Sequence, residues 1–267
     1  LSKLSFQLQS WFKQAKKIIK EPDFKNMDID FGKNNLFTQN INSTDFYMKY
    51  KAVLFDLDGT LLDTALDIMN ACNHTLEKYG YKALDEKLLK TKVTAGMREM
   101  LKLGVPKEDH ENSGIETYMR DEFASFYKEH ICDRTKAFEG IPKLIDDLTK
   151  NRIKTAVITN KYHDMATKVL SKFPFSKDFS LVLGCDSLTH SKPHPEPILK
   201  ALELLKVSPK DALYVGDHLN DIKAANAASC DSAAVLWGYG TNECIDVNLW
   251  NATYCVKDIN ELKKLIF

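Results

Sequence analysis

Residues 53–63 run Val53-Leu54-Phe55-Asp56-Leu57-Asp58-Gly59-Thr60-Leu61-Leu62-Asp63. The apolar, β-prone run from Lys51 to Phe55 predicts a buried strand. It stops abruptly at two carboxylates, a glycine and a threonine. Side chains alternate along a strand, so Asp56 and Asp58 can leave its end pointing into one crevice. Two acids aimed at one place repel each other, and a site that holds them together usually holds a divalent cation. Mg2+, a hard ion that wants oxygen ligands, is the first candidate. Gly59 lets the backbone turn tightly there. Asp-Gly by itself is also ordinary turn chemistry, so the case depends on the rest of the chain.

Three further apolar runs end in polar groups. Val157-Ile158-Thr159-Asn160-Lys161 closes a predicted strand with a threonine hydroxyl, with backbone amides free to turn toward an anion. In Ser191-Lys192-Pro193-His194-Pro195-Glu196-Pro197, the proline after Lys192 keeps that lysine out of helix, while Pro195 and Pro197 prepare the next helix's first turn. A lysine fixed in this way can neutralise a phosphate and orient Asp56. Tyr214-Val215-Gly216-Asp217-His218-Leu219-Asn220-Asp221 runs from a buried strand into Gly-Asp, with a second aspartate at the start of a helix. Asp217 is placed to ligate Mg2+ directly, and Asp221 to hold a metal-bound water or to orient Lys192. The plainer alternative is an aspartate favoured at a helix N-terminus by the dipole alone.

Between these motifs the hydrophobic period alternates. Residues 141–150, 164–172, 196–206, 219–228 and 259–266 read as helices, and 153–159, 181–184, 212–215, 233–236 and 253–256 as strands. The expected class is α/β, a Rossmann-like doubly wound parallel sheet covered on both faces, with ligands bound at the carboxyl ends of its strands. The block after the first motif differs. Helical patterns at about 64–79, stopped by Gly80, then at 86–92, 96–103 and 113–130, follow one another with no convincing strand. They predict a small helical bundle inserted after the first strand. The expected domains are an N-terminal helix and linker (1–47), a core (48–63 and 140–267) and the helical insertion (64–139).

Asp-Leu-Asp-Gly-Thr after an apolar strand, followed in order by the Thr159, Lys192 and Asp217 motifs, resembles the haloacid dehalogenase superfamily of phosphohydrolases. The resemblance spans about residues 50–267. It implies that Asp56 is the nucleophile and Asp58 the general acid/base. It also implies that Thr159 and the Asn160 amide bind the phosphoryl group with Lys192, and that a Mg2+ ion is held by Asp56, Asp58, Asp217 and Asp221. The dehalogenases that name the superfamily lack the second acid and need no metal, so Asp58 favours phosphate chemistry. The helical insertion resembles the superfamily's C1 cap, and Val93-Thr94-Ala95-Gly96-Met97-Arg98 a cap loop that reaches substrate through Gly96 and Arg98; a solvated helix arginine is the alternative for Arg98.

The pattern, including Ala233-Ala234-Val235-Leu236-Trp237-Gly238-Tyr239-Gly240, is most similar to the phosphoglycolate phosphatase group and to N-acetylmuramic acid 6-phosphate phosphatases. It departs from the group at Ser229, where glycine is usual, and at His218. The expected activity is Mg2+-dependent hydrolysis of a small phosphate ester. A phosphosugar mutase and a catalytically idle binding module are the alternatives.

Composition narrows the partners. Lys plus Arg equals Asp plus Glu at 37 each, so no global field recruits nucleic acid. The six cysteines show no metal-ligand spacing, as expected of free thiols in a reducing cytoplasm. No apolar run approaches the roughly 20 residues of a membrane span, and no cleavable signal peptide is visible. A cytoplasmic monomer or homodimer is expected. Residues 1–20 place Leu4, Leu8, Trp11, Phe12, Ala15, Ile18 and Ile19 at helical spacing among lysines, a basic amphipathic helix; an Asn- and Asp-rich linker follows.

Overall fold

The computed structural model describes residues 48–267, so the expected N-terminal helix and linker lie outside the described residues. The chain enters through β1 (Ala52–Phe55), and a short antiparallel pair, β2 (Leu62–Asp63) and β3 (Lys136–Ala137), brackets the helical insertion. The remaining strands are β4 (Lys154–Ile158), β5 (Leu181–Leu183), β6 (Ala212–Gly216), β7 (Asp231–Val235) and β8 (Tyr254–Val256). Six of the eight form one parallel sheet in the order β5-β4-β1-β6-β7-β8. The α/β parallel sheet expected from the sequence is therefore present.

Strand β1 is central because it is apolar on both faces. Val53 and Phe55 pack on one side with Val157, Leu213, Val215, Leu144 and Ile145. Ala52 and Leu54 pack on the other with Ala156, Tyr214, Ile198, Ala201 and Ala225. Register then places the motifs. Phe55 is level with Val157 on one neighbour and Val215 on the other, so Asp56, Thr159 and Asp217 emerge at the same edge, where the connections from β1 diverge to opposite sides.

Among the described residues ten helices cover the sheet and build the insertion: α1 (Ala65–Lys78), α2 (Glu86–Leu89), α3 (Met97–Gly104), α4 (Tyr118–Glu129), α5 (Ile141–Lys150), α6 (His163–Leu170), α7 (Glu196–Leu205), α8 (Leu219–Ala227), α9 (Gly240–Glu243) and α10 (Ile259–Ile266). Helices α1 to α4 lie between β2 and β3, and α1, α3 and α4 pack on one another. Buried Asp67 near the start of α1 accepts the Arg134 and Thr135 amides and the Thr135 hydroxyl, which satisfies a charge that would otherwise be costly to bury.

Several boundaries differ from expectation. The predicted helix over 113–130 starts only at Tyr118, because Gly114 takes φ +79° and its carbonyl closes a turn onto Thr117 and Met119. The helix expected over 86–92 stops at Leu89, and a 3-10 turn at Val93–Ala95 follows. The two-residue strands β2 and β3 are too short to carry a periodic signal. Ser229, where the similar proteins usually have glycine, sits at φ +58°, the backbone region that glycine adopts at least cost.

Among the described residues no helix is long and apolar enough to cross a membrane. All six cysteines are free.

Candidate active site

The strand ends assemble a buried polar floor. Lys192, only 4% exposed, donates from Nζ to Asp56 Oδ1 (2.8 Å), Asp221 Oδ1 (2.6 Å) and the Tyr214 hydroxyl (3.0 Å). The Tyr214 hydroxyl in turn donates to the Ile158 carbonyl (2.8 Å). One ammonium thus ties the β1 end to the start of α8, as its place before Pro193 suggested. Burial opposes its charge, but Asp221 and Asp56 outweigh burial and hold the ammonium above its ordinary value.

Asp217 is fully buried and fully partnered. Its Oδ2 accepts the Tyr239 amide (2.7 Å) and the Gly240 amide (3.1 Å), and its Oδ1 accepts the Thr60 hydroxyl (3.0 Å). The carboxylate fits there because two of its neighbours have no side chain. A Cβ on Gly59 or on Gly238 would stand 2.3 Å from Asp217 Oδ2. Gly59 also takes φ +83°, so both space and backbone require glycine at the turn after the two acids. At Asp221, Oδ2 accepts the His218 amide (3.0 Å), while His218 Nδ1 accepts the Asn220 amide (3.0 Å), a reciprocal cap on α8.

Carboxylate oxygens of Asp56, Asp217 and Asp221 lie within 4.8 Å of one another, all three residues being buried. Burial, and then the other carboxylates, push Asp217 up to about 8. Burial likewise pushes Asp56 up to about 6, with Lys192 opposing and Asp221 adding. One ammonium pairs with two of the three acids, Asp56 and Asp221, so two negative charges stay unbalanced in a low-dielectric site once all three are ionised. A divalent cation is the group that would balance them, and an all-oxygen donor set suits a hard one.

Asp58 is handled separately. Its carboxylate lies outside the three-acid cluster. Oδ1 and Oδ2 accept from Lys161 Nζ (2.9 and 3.0 Å), and Oδ1 also accepts the Thr64 hydroxyl (2.6 Å). The sequence alone assigns Lys161 no role. The available signal was its place directly after Thr159-Asn160, which turns it back over the end of β1. Asp58 outweighs burial and holds this ammonium above its usual range. Asp56 and Asp58 therefore each have their own lysine.

Above this floor lies a cavity of about 390 Å3, lined by Asp56, Asp58, Thr159, Lys161, Lys192 and Asp221 below and by Gly96, Arg98, Arg120, Phe123 and Tyr127 of the insertion above.

Residues 53–235 match the family described as haloacid dehalogenase-like hydrolase. The chain belongs to that family. It is 35% identical over 219 residues to the N-acetylmuramic acid 6-phosphate phosphatase of Pseudomonas putida, covering 82% of this chain and 97% of that one. It is 33% identical over 218 residues to the phosphoglycolate phosphatase of Chromobacterium violaceum, covering 81% and 96%. A crystal structure described as a predicted phosphoglycolate phosphatase from Haemophilus somnus superposes with a TM-score of 0.71 at 26% identity, over 81% of this chain and 98% of that one. These relatives agree with the hydrolase and phosphatase activity expected from the motifs.

Within the hydrolase's site the remaining residues fall into two sets. Thr159 is 4% exposed and faces the cavity, its hydroxyl accepting the Lys161 amide (3.2 Å). The Asn160 side chain donates to the Lys192 carbonyl (2.9 Å), so its amide group holds the lysine loop, a role the sequence had not suggested. Gly96 opens α3 at φ +94°. Arg98 also reaches the cavity, but its guanidinium pairs with Glu116 (2.7 Å) on a half-exposed rim. His218, the other departure from the similar proteins, caps α8 and meets Cys244 Sγ at 3.2 Å. The loop after β7 was noted only for its resemblance; it supplies the Tyr239 and Gly240 amides to Asp217, and Trp237 Nε1 braces the Thr60 carbonyl (3.1 Å).

Proposed function

We propose that this hydrolase is a Mg2+-dependent phosphomonoesterase that works through a phosphoryl group carried on Asp56, with 2-phosphoglycolate as the first substrate to test. The observation that carries the reading is the charge arrangement: three clustered buried acids, two of them paired with one lysine, beside a separately held Asp58. Asp56, Asp217 and Asp221 would hold the ion directly or through water; the Asp58 side chain is left out of that set because it is bound to Lys161. The ion when bound supplies charge compensation for the phosphate oxygens.

Lys192 holds Asp56 Oδ1, which leaves Oδ2 to attack phosphorus in line with the leaving oxygen. Thr159 and Lys192 meet the phosphoryl oxygens as negative charge moves onto them. Asp58, aimed by Lys161 and Thr64, gives a proton to the leaving alkoxide. It then takes a proton from the water that attacks the aspartyl-phosphate, and Asp56 is released. The helices between β2 and β3 serve as a cap that limits water access during the first step.

A second reading has a specific observation behind it. The cavity of about 390 Å3 is walled partly by Ile68, Met97, Met100, Phe123 and Met165, within the range of roughly 300–1,000 Å3 that encloses larger ligands. That room favours a sugar phosphate, such as the substrate named for the Pseudomonas putida relative. No observation favours the mutase or the idle module.

The test is release of inorganic phosphate from a panel of esters, with Mg2+ and then with chelator. Metal-dependent release supports the reading. No release from any ester in the presence of Mg2+ ends it.

A further inference from the structure

Among the described residues, two buried side-chain polar atoms find no hydrogen-bond partner: Thr94 Oγ1 and Tyr127 OH. Both residues line the cavity over the carboxylates, and both belong to the helical insertion. Protein interiors pair nearly all such groups, because an unpaired one forfeits its hydration without compensation. A single orphan would say little, but the only two converge on one cavity from two different elements.

Both groups sit on anchored elements. The Thr94 amide donates to Glu243 Oε1 (2.8 Å), which fastens the turn before Gly96 to α9. Tyr127 is 1% exposed, and its ring lies under Lys161 Nζ, 4.6 Å from the centroid. That ammonium directs its well-formed hydrogen bonds to both oxygens of Asp58 and acts on the Tyr127 hydroxyl as a nearby charge. Burial pushes the Tyr127 hydroxyl up to about 12, so it stays neutral and can donate or accept. The charged groups of the same wall are already engaged: Arg98 pairs with Glu116, and Arg120 with Asp121.

Resting on the phosphatase reading above, we propose that Thr94 and Tyr127 are specificity-determining residues that hydrogen-bond the leaving group of the ester. The preferred substrate then carries at least two hydrogen-bonding oxygens beyond the ester oxygen, one meeting the cap loop and one lying close to Asp58 and Lys161. A site built to pair such oxygens rejects an ester that lacks them, since the two hydroxyls would stay unpaired.

Thr94→Val and Tyr127→Phe remove each hydroxyl with little change of shape. The readout is a selectivity ratio. It compares kcat/KM for the best of 2-phosphoglycolate, glycerol phosphate and N-acetylmuramic acid 6-phosphate with kcat/KM for phenyl phosphate, whose leaving group has no further polar atom. In the wild type the ratio favours the oxygen-rich ester, and in each variant it falls about tenfold or more. Tm holds or rises in both, because an unpaired buried hydroxyl has been removed; a merely structural hydroxyl would lower Tm and leave the ratio alone. An unchanged ratio in both variants, or a wild type with no preference over phenyl phosphate, overturns the proposal while leaving the phosphatase reading intact. A wild type that hydrolyses none of the esters ends both.

Discussion

The floor and the upper wall of the cavity are built on opposite plans. On the floor the charged groups are buried or half-buried and already bonded: Lys192 to Asp56 and Asp221, Lys161 to the half-buried Asp58, and Asp217 to two backbone amides and Thr60. On the wall the polar groups are either unpaired, as at Thr94 and Tyr127, or paired on an exposed rim, as at Arg98. A pre-bonded floor suits chemistry that must not vary between substrates, since its dipoles and charges need no rearrangement when the reaction begins. A wall with vacant hydrogen-bonding capacity suits selection among leaving groups. On the proposed function, chemistry and specificity sit on separate segments of the chain, the sheet edge and the helical insertion.

That contrast can be broken most severely at Asp56. Asp56→Asn keeps the size of the side chain and removes the nucleophile, so phosphate release falls by at least about 10^3-fold for every ester that the wild type hydrolyses. A loss confined to one ester would place Asp56 with the wall instead. Lys192→Met comes next. It strands two buried carboxylates, and breaking such a pair from one side costs about 3–5 kcal/mol. Denaturant unfolding should show that loss together with a fall of at least about 10^2-fold in kcat. Full activity with a modest stability change would mean that the lysine is only structural.

Lys161→Met sharpens the comparison, because it removes the anchor of Asp58 while Asp56 and the three-acid cluster stay as they are. A drop of about 10–10^2-fold in kcat, with KM for phenyl phosphate changing less, is the expected result. The metal prediction concerns pH. Asp56 at about 6 and Asp217 at about 8 are both raised above the ordinary 3.8. Without metal, their contribution to stability is present below about pH 4 and is lost as pH rises through 6 to 8, where the folded chain must ionise crowded acids. Mg2+ has to displace those protons, so the Tm gain on adding it grows from pH 5 to pH 8. A gain that is flat across this range would contradict the cluster. The smallest effect belongs to the rim: Arg98→Ala lowers unfolding free energy by less than about 1 kcal/mol, as for an exposed ion pair. A larger loss in denaturant titrations would show that the wall is as tightly built as the floor.

The floor was legible in the sequence because each of its motifs ends an apolar strand, and the register of a parallel sheet brings such ends to one edge. Asp56, Thr159, Lys192, Asp217 and Asp221 could be named from that pattern together with the family resemblance. Lys161 was not singled out, because a lysine after a strand has no periodic signature; its role depends on the turn that brings it back to Asp58. The Asn160 side chain and the Tyr239 and Gly240 amides were hidden for the same reason, since each bonds across the site to a residue far away in sequence. The wall was legible only in its loop: Val93 to Arg98 resembles a cap loop, and it lines the cavity. Tyr127 looks like any aromatic on the apolar face of α4, and only the packing of the insertion reveals a hydroxyl left without a partner. The β2–β3 pair and the late start of α4 were missed because two-residue strands and a glycine turn fall below the length at which periodicity can be read.

The proposal that Asp56 carries the phosphoryl group underlies all of these expectations. It is tested most directly by mixing enzyme, Mg2+ and a hydrolysed ester, quenching in acid within one turnover, and mapping the peptides by mass spectrometry. A phosphoryl adduct on the peptide containing Asp56, absent from Asp56→Asn, is the predicted result. Turnover with no adduct at any time point, or with the adduct on another residue, would contradict it.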